Sequence, residues 1–222
     1  MTRNMIIAID GLSASGKGTI AKGLAEYFRF AHLDTGLLYR AVGRLTYEAD
    51  ETMPTKEAIK VAQSFSTQRL DDPILRSDHS SQLASKVAVI PEVREALLDF
   101  QRNFAIAPPA DGAVLDGRDI GTVICPLAPV KLFITADATI RAQRRHKELE
   151  TRLNQKVDFD GVLQDLKTRD ARDMKREIAP LKPAQDALIL DTSEISINDA
   201  ISQAVQLTHK IMSDKDRSFA CI

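Results

Sequence analysis

The decapeptide Asp10-Gly11-Leu12-Ser13-Ala14-Ser15-Gly16-Lys17-Gly18-Thr19 places Gly11 and the Gly16-Lys17 pair at the spacing of a phosphate-cradling loop. Its glycines let the backbone curl so that successive N–H groups point inward. Lys17, read as an exposed loop cation, reaches the β- and γ-phosphates, and a following helix adds the positive end of its dipole. A nucleoside triphosphate is the expected ligand of Gly11 to Thr19. A strand-to-helix turn with small residues is the plainer alternative. Lys17 argues against it, because a cation in a first helical turn opposes the dipole unless an anion lies beside it. Many such loops carry a metal-binding Ser or Thr directly after the lysine; here that position is Gly18 and the hydroxyl comes at Thr19. Direct Mg²⁺ ligation by Thr19 is therefore not expected, and no protein metal ligand is assigned.

Three further groups carry charge in suggestive patterns. Asp34-Thr35-Gly36-Leu37-Leu38-Tyr39-Arg40 sets a hydroxyl and an arginine five residues apart, with Arg40 placed to take a second phosphate. Taken alone, Thr35 would serve as an N-cap and Arg40 as a solvated helix residue. Asp116-Gly117-Arg118-Asp119-Ile120-Gly121 packs three charges between glycines just beyond a strand, where a plain Asp- and Gly-rich turn is the alternative. Arg141, Arg144 and Arg145 share one helical face, and Arg169, Arg172 and Arg176, with Asp170 and Asp173, repeat the theme. Such runs are usually solvated faces. These two bracket residues 148–161 as the arms of a mobile lid would, and phosphoryl transfer needs cations that close around the migrating group while water is shut out.

The elements that must hold these groups follow from hydrophobic patterning. Strands are expected at 5–9, 31–33, 113–116, 130–135 and 187–191, separated by helical patterns, which predicts an α/β fold: a doubly wound, five-stranded parallel sheet covered on both faces. Helices are expected from Ile20 to Phe28, over 37–49, 55–66, 78–89 and 91–105, and from Ile195 to Met212 with a fraying tail. Pro91 suits a first helical turn, and Thr55 and Asp78 suit N-caps. The helical excursion between the second and third strands would form one wall of a cleft at the carboxyl edge of the sheet.

Length and composition narrow the function classes. The chain has 222 residues, enough for one α/β domain spanning 1–222, and its 30 basic against 31 acidic side chains give a net charge of −1. Nothing in that balance asks for nucleic acid or an anionic membrane. No apolar run approaches a membrane span, and 5–9 is too short for a signal peptide, so a cytoplasmic location is expected. Cys125 and Cys221 form no CxxC pair and the four histidines lack ligand spacing, which argues against zinc. Cys125 reads as a buried structural thiol.

The ordered set Ile7-Ala8-Ile9-Asp10-Gly11, Gly16-Lys17-Gly18-Thr19, Leu33-Asp34-Thr35-Gly36-Leu37-Leu38-Tyr39-Arg40, Asp116-Gly117-Arg118-Asp119-Ile120-Gly121-Thr122-Val123 and Arg169-Asp170-Ala171-Arg172-Asp173-Met174-Lys175-Arg176, leading to Ala179-Pro180-Leu181-Lys182-Pro183, resembles the bacterial cytidylate kinases. The resemblance covers the chain from about Ile6 to Ile197. It implies a P-loop core, a monophosphate-binding region over about 36–106 and a helical lid over about 141–176. It implies ATP with Mg²⁺ as donor and CMP or dCMP as acceptor, in a monomer with no nucleic-acid or membrane partner. By position, Thr35, Arg40 and Arg118 would surround the CMP phosphate and nearby sugar, Ser85, Arg94 and Asp119 would read cytosine, and Asp173 and Arg176 would contact the ribose or its phosphate. Lys17, Arg118, Arg141, Arg145 and Arg176 would carry the catalytic charge. Cytosine offers an N4 donor beside N3 and O2 acceptors, so Asp119 can accept while Ser85 and Arg94 donate. Many members carry a longer, strand-rich insert between Arg40 and Ser85; the short stretch here implies differences in sugar discrimination and closure. The rival readings are another nucleoside monophosphate or small-molecule kinase, and a P-loop switch protein. The switch protein would want an Asn-Lys-x-Asp motif, and the sequence has no Asn-Lys pair.

Overall fold

The computed structural model describes residues 5–66 and 69–219, with side chains to 213. Strand β1 (Met5–Gly11) runs into helix α1 (Lys17–Phe28), followed by β2 (Ala31–Asp34), α2 (Thr35–Ala49), α3 (Thr55–Gln63), a 3-10 turn (Pro73–Arg76), α4 (Asp78–Val87) and α5 (Pro91–Ile106). The chain returns through β3 (Gly112–Gly117), a π-helical turn (Ile120–Ile124) and β4 (Val130–Thr135). It ends in α6 (Ala138–Leu153), α7 (Phe159–Lys175), β5 (Leu188–Asp191) and α8 (Ile197–Phe219).

All strand pairs are parallel, in the order β2-β3-β1-β4-β5. Alternation along β1 sends Ile7 and Ile9 to one face, against Ile20 and Leu24 of α1 and Ala200 and Ala204 of α8. Ala8 faces the other way, with Leu33, Leu115, Ile120 and Ala105. Both faces are thus covered, as a parallel sheet requires. The order reverses on the two sides of β1, so the crevice for a ligand opens beyond Gly11. Two satellite cores stand on that edge. One joins α2, α3, α4 and α5 through Leu38, Val42, Ala62, Val87 and Val93; the other joins α6 to α7 through Ala142, Leu149, Val162 and Leu166.

Several boundaries differ from the sequence reading. Helix α1 begins at Lys17 and α2 at Thr35, each earlier than the apolar periodicity signals, because a small polar first turn shows no hydrophobic face. Thr55 and Asp78 are first helical residues rather than caps. Pro54 precedes α3 without a side-chain cap, and Ser77 caps α4 by accepting the Ser80 N–H at 3.1 Å. Helix α8 continues through Phe219, past the expected end at Met212, while 220–222, with Cys221, lie outside the described residues. Cys125 is buried, and burial pushes its thiol up to about 11, the state of an unreactive cysteine.

Gly11 is where the sheet meets the loop. Its φ is +156°, and a Cβ there would lie 2.1 Å from the carbonyl oxygen of Ile134 on β4. Gly11→Ala is expected to lower stability by about 3 kcal/mol or more, because neither backbone can move without breaking the ladder. Urea unfolding checks this, and a midpoint equal to wild type contradicts it.

Candidate active site

The loop after β1 is shaped by backbone conformation and by long-range ties. Ala14 and Gly16 are left-handed, with φ of +56° and +86°. Gly16 precedes α1 with no side-chain cap, and while the Thr19 N–H bonds the Gly16 carbonyl at 3.1 Å, those of Lys17 and Gly18 stay available to an anion. Ser15 Oγ donates to the Leu12 carbonyl at 3.0 Å, and Thr192 Oγ1 donates to the Ser15 carbonyl at 3.0 Å. Lys17 is half-buried at the start of α1 rather than exposed on the loop. Burial, aided by the Arg118 charge, pushes its ammonium down to about 7 against the opposing pull of Asp116 and Asp34. Thr19 is exposed.

Around this loop lies a cavity of about 630 Å³, bounded by Arg40, Arg118, Arg144, Arg145 and Arg169 and, at its far end, by Ile195 and Ile197. A second cavity of about 210 Å³ adjoins it, lined by Thr35, Tyr39, Ser85, Arg94, Asp119, Asp173 and Arg176. Lys17, Arg40, Arg118 and Arg169 line both, with Asp34 the one carboxylate among the shared residues, so the junction carries an excess of positive charge. That arrangement suits two phosphate-bearing ligands that meet end to end.

The turn at Asp116 to Gly121 is built rather than incidental. Asp10, buried in β1, accepts the N–H groups of Ile120 at 2.7 Å and Gly121 at 2.8 Å; burial nonetheless raises its carboxyl to about 6. Thr35 Oγ1 donates to the Asp116 carbonyl at 2.9 Å, an approach only glycine at 117 allows, since a Cβ there would sit 2.6 Å from that hydroxyl. Arg118 Nε lies 2.8 Å from Asp173 Oδ2, and its Nη2 donates to Ser13 Oγ at 2.9 Å. Burial opposes ionisation of Asp173, but the Arg118 guanidinium, together with Arg176 and Arg169, outweighs it and holds the carboxyl below its usual value. Asp119 pairs with Arg94 at 2.5 Å and with Arg176 at 3.6 Å, all three buried side chains.

Other expected residues fall into place with qualifications. Arg40 donates to the Leu75 carbonyl at 3.0 Å and keeps a face on both cavities. Ser85 Oγ accepts from Arg172 Nη1 at 2.9 Å. Arg145 is held by Asp78 and by Glu148. Arg141, expected among the cations around the transferring group, lines neither cavity; it is buried against Asp170 at 2.5 Å and donates to the carbonyls of Ala136 and Ser13. Arg169, which the sequence offers only as one member of the second lid cluster, borders both cavities. Its Nε is buried with no hydrogen-bond partner among the described residues, and burial followed by the Arg118 charge lowers the guanidinium to about 10. The repeated Arg-Asp pattern around it was the available signal.

Comparison with known proteins bears on this geometry. Residues 7–210 match the family model described as cytidylate kinase. A cytidylate kinase of Rhodospirillum rubrum is 50% identical over 210 residues, which cover 93% of this chain and 98% of that protein. One from Methylocella silvestris is 52% identical over 202 residues, 90% of this chain and 92% of its own. Among solved structures, an uncharacterized protein from Eubacterium ventriosum aligns over 91% of this chain and 97% of its own, with a TM-score of 0.52 at 17% identity, a likeness of fold.

Proposed function

The chain belongs to the cytidylate kinase family, and from this premise we propose that it transfers the γ-phosphoryl group of MgATP to the 5′-phosphate of CMP or dCMP. The observation that carries the reading is the cation-rich junction of the two cavities at Lys17, Arg118 and Arg169. The larger cavity takes the triphosphate, since its loop presents the Lys17 and Gly18 N–H groups at an uncapped helix start beside the lysine side chain. The smaller one takes the monophosphate and base. Among the described residues no group of three His, Cys, Asp or Glu side chains is placed to hold a metal, and Gly18 stands where a hydroxyl ligand would be. Mg²⁺ is taken to enter on the triphosphate, as part of the donor substrate.

The acceptor phosphate oxygen is already a nucleophile, so no general base and no covalent enzyme intermediate is required. The chain's work is alignment and charge neutralisation. Lys17 and the loop amides hold the donor phosphates, and an arriving triphosphate favours the charged lysine that burial had disfavoured. Arg40 and Arg118 orient the acceptor, and Arg145, Arg169 and Arg176 converge on the charge that builds between them. Ser85, Arg94 and Asp119 read the base; Thr35 and Asp173 act by holding the turn and Arg118. A single kinase domain acting as a monomer in the cytoplasm is the simplest setting. Among the described residues no helix is long and apolar enough to cross a membrane. A coupled assay across all nucleoside monophosphates with MgATP tests the reading: CMP and dCMP should lead, and a preference for AMP or GMP would overturn it.

Helices α6 and α7 form the lid in this account. Their shared core is small, and their ties to the helical insert are polar: Arg145 and Arg152 to Asp78, Arg152 to the Arg76 carbonyl, and Arg172 to Ser85. Such contacts exchange readily with ligand and water. Hydrogen exchange over 148–161 is expected to be fast in the free protein and slowed when ATP and CMP analogues bind together; equal exchange in the two states counts against closure.

A further inference from the structure

Asp170 lies on the lid helix α7, 157 residues from the loop it touches. Its Oδ1 accepts the Ser13 N–H at 3.1 Å, and its Oδ2 takes Arg141 Nη1 at 2.5 Å. The same Arg141 nitrogen donates to the Ser13 carbonyl at 3.0 Å, while its Nε is anchored on the Ala136 carbonyl at 2.9 Å, just beyond β4. The Ser13 hydroxyl in turn accepts from Arg118, which Asp173, one turn further along α7, holds by its Nε. Every polar group of Ser13 is therefore fixed by α7, directly or through an arginine that α7 carboxylates pair. The Ser13 N–H is already committed to Asp170, so this clamp shapes the loop rather than binding the ligand.

We propose that Asp170 is a positioning residue for the donor nucleotide, holding the phosphate loop through Ser13 and Arg141 and coupling its shape to the lid helix. The proposal rests on ATP being the ligand of that loop. A carboxylate is needed because Arg141 is buried; a neutral side chain leaves a guanidinium uncompensated against the loop carbonyl. Asp170 acts mainly on the donor side, because Ser13, the residue it holds, lines the first cavity and not the second.

The test compares wild type, Asp170→Asn and Asp170→Ala by calorimetric binding of ATP and, separately, of CMP, with thermal unfolding of each protein. Asp170→Ala should weaken ATP binding on the order of 10- to 100-fold, the range for losing hydrogen bonds to a charged group. CMP affinity should stay near wild type. Asp170→Asn, which keeps an acceptor for the Ser13 N–H, should fall between and is the deciding variant if the alanine protein does not fold. ATP binding unchanged in the folded asparagine variant overturns the proposal, as does an equal loss for ATP and CMP. Wild type that fails to bind ATP at all instead refutes the donor-site reading beneath it.

Discussion

Lys17→Ala is expected to fold as wild type does and to lose on the order of 10²-fold or more in turnover, the cost of removing one pre-organised charge from a phosphoryl-transfer site. Lys17 contributes little to the fold. It begins α1, where its charge opposes the helix dipole, and among the described residues it makes no ion pair. Burial has already driven its ammonium down to about 7, so the free protein bears a cost for holding the cation there. Alanine relieves that cost, and thermal stability should be equal or higher. The two readouts therefore diverge: activity falls while the unfolding temperature holds. Near-normal turnover in the folded variant would remove the phosphate-loop mechanism.

The second large effect concerns substrate choice. Asp119→Asn should shrink the preference for CMP over UMP by roughly 10- to 10³-fold in the ratio of kcat/KM values. Cytosine presents an amino donor where uracil presents a carbonyl, and a buried carboxylate facing that carbonyl is penalised; the amide can turn either its oxygen or its N–H to the base. The structure adds a complication, because Asp119 also neutralises Arg94 and Arg176. Its loss will reduce stability, and on that ground alone both substrates would suffer. The ratio cancels that shared loss, since both substrates meet the same folded enzyme. If CMP and UMP decline together and the ratio is unchanged, Asp119 only ties down the turn.

The phosphate loop, the five strands and the position of the acceptor turn were legible in the sequence because each rests on short-range chemistry: glycine spacing, alternation, and a charged segment at a strand end. The pairings that organise the site were not, because they join residues far apart along the chain. The sequence puts Asp10 at the start of the phosphate loop, beyond a strand at 5–9, yet it lies within β1 and its carboxyl orients the turn at 120–121. Arg141 looked like a lid cation because it shares a helical face with Arg144 and Arg145; which neighbour it meets is decided by the packing of α6 on α7, and Asp170 intercepts it. Periodicity gives the shared face on α6 but cannot say which of three arginines points inward. Ser77 and Asp78 are both good caps, and one residue separates the right choice from the wrong one. The polar end of α8 lacked an apolar stripe, so its helical continuation left no signal.

The central claim is direct transfer of the γ-phosphoryl group between two nucleotides that meet at Lys17, Arg118 and Arg169. The most direct measurement follows ATP labelled in its γ-phosphate through a single turnover with CMP. The label should appear in the β-phosphate of CDP with one CDP formed per ADP, and none should be found on the protein. Label released as inorganic phosphate without CDP, or retained as a phosphoprotein, would contradict the account.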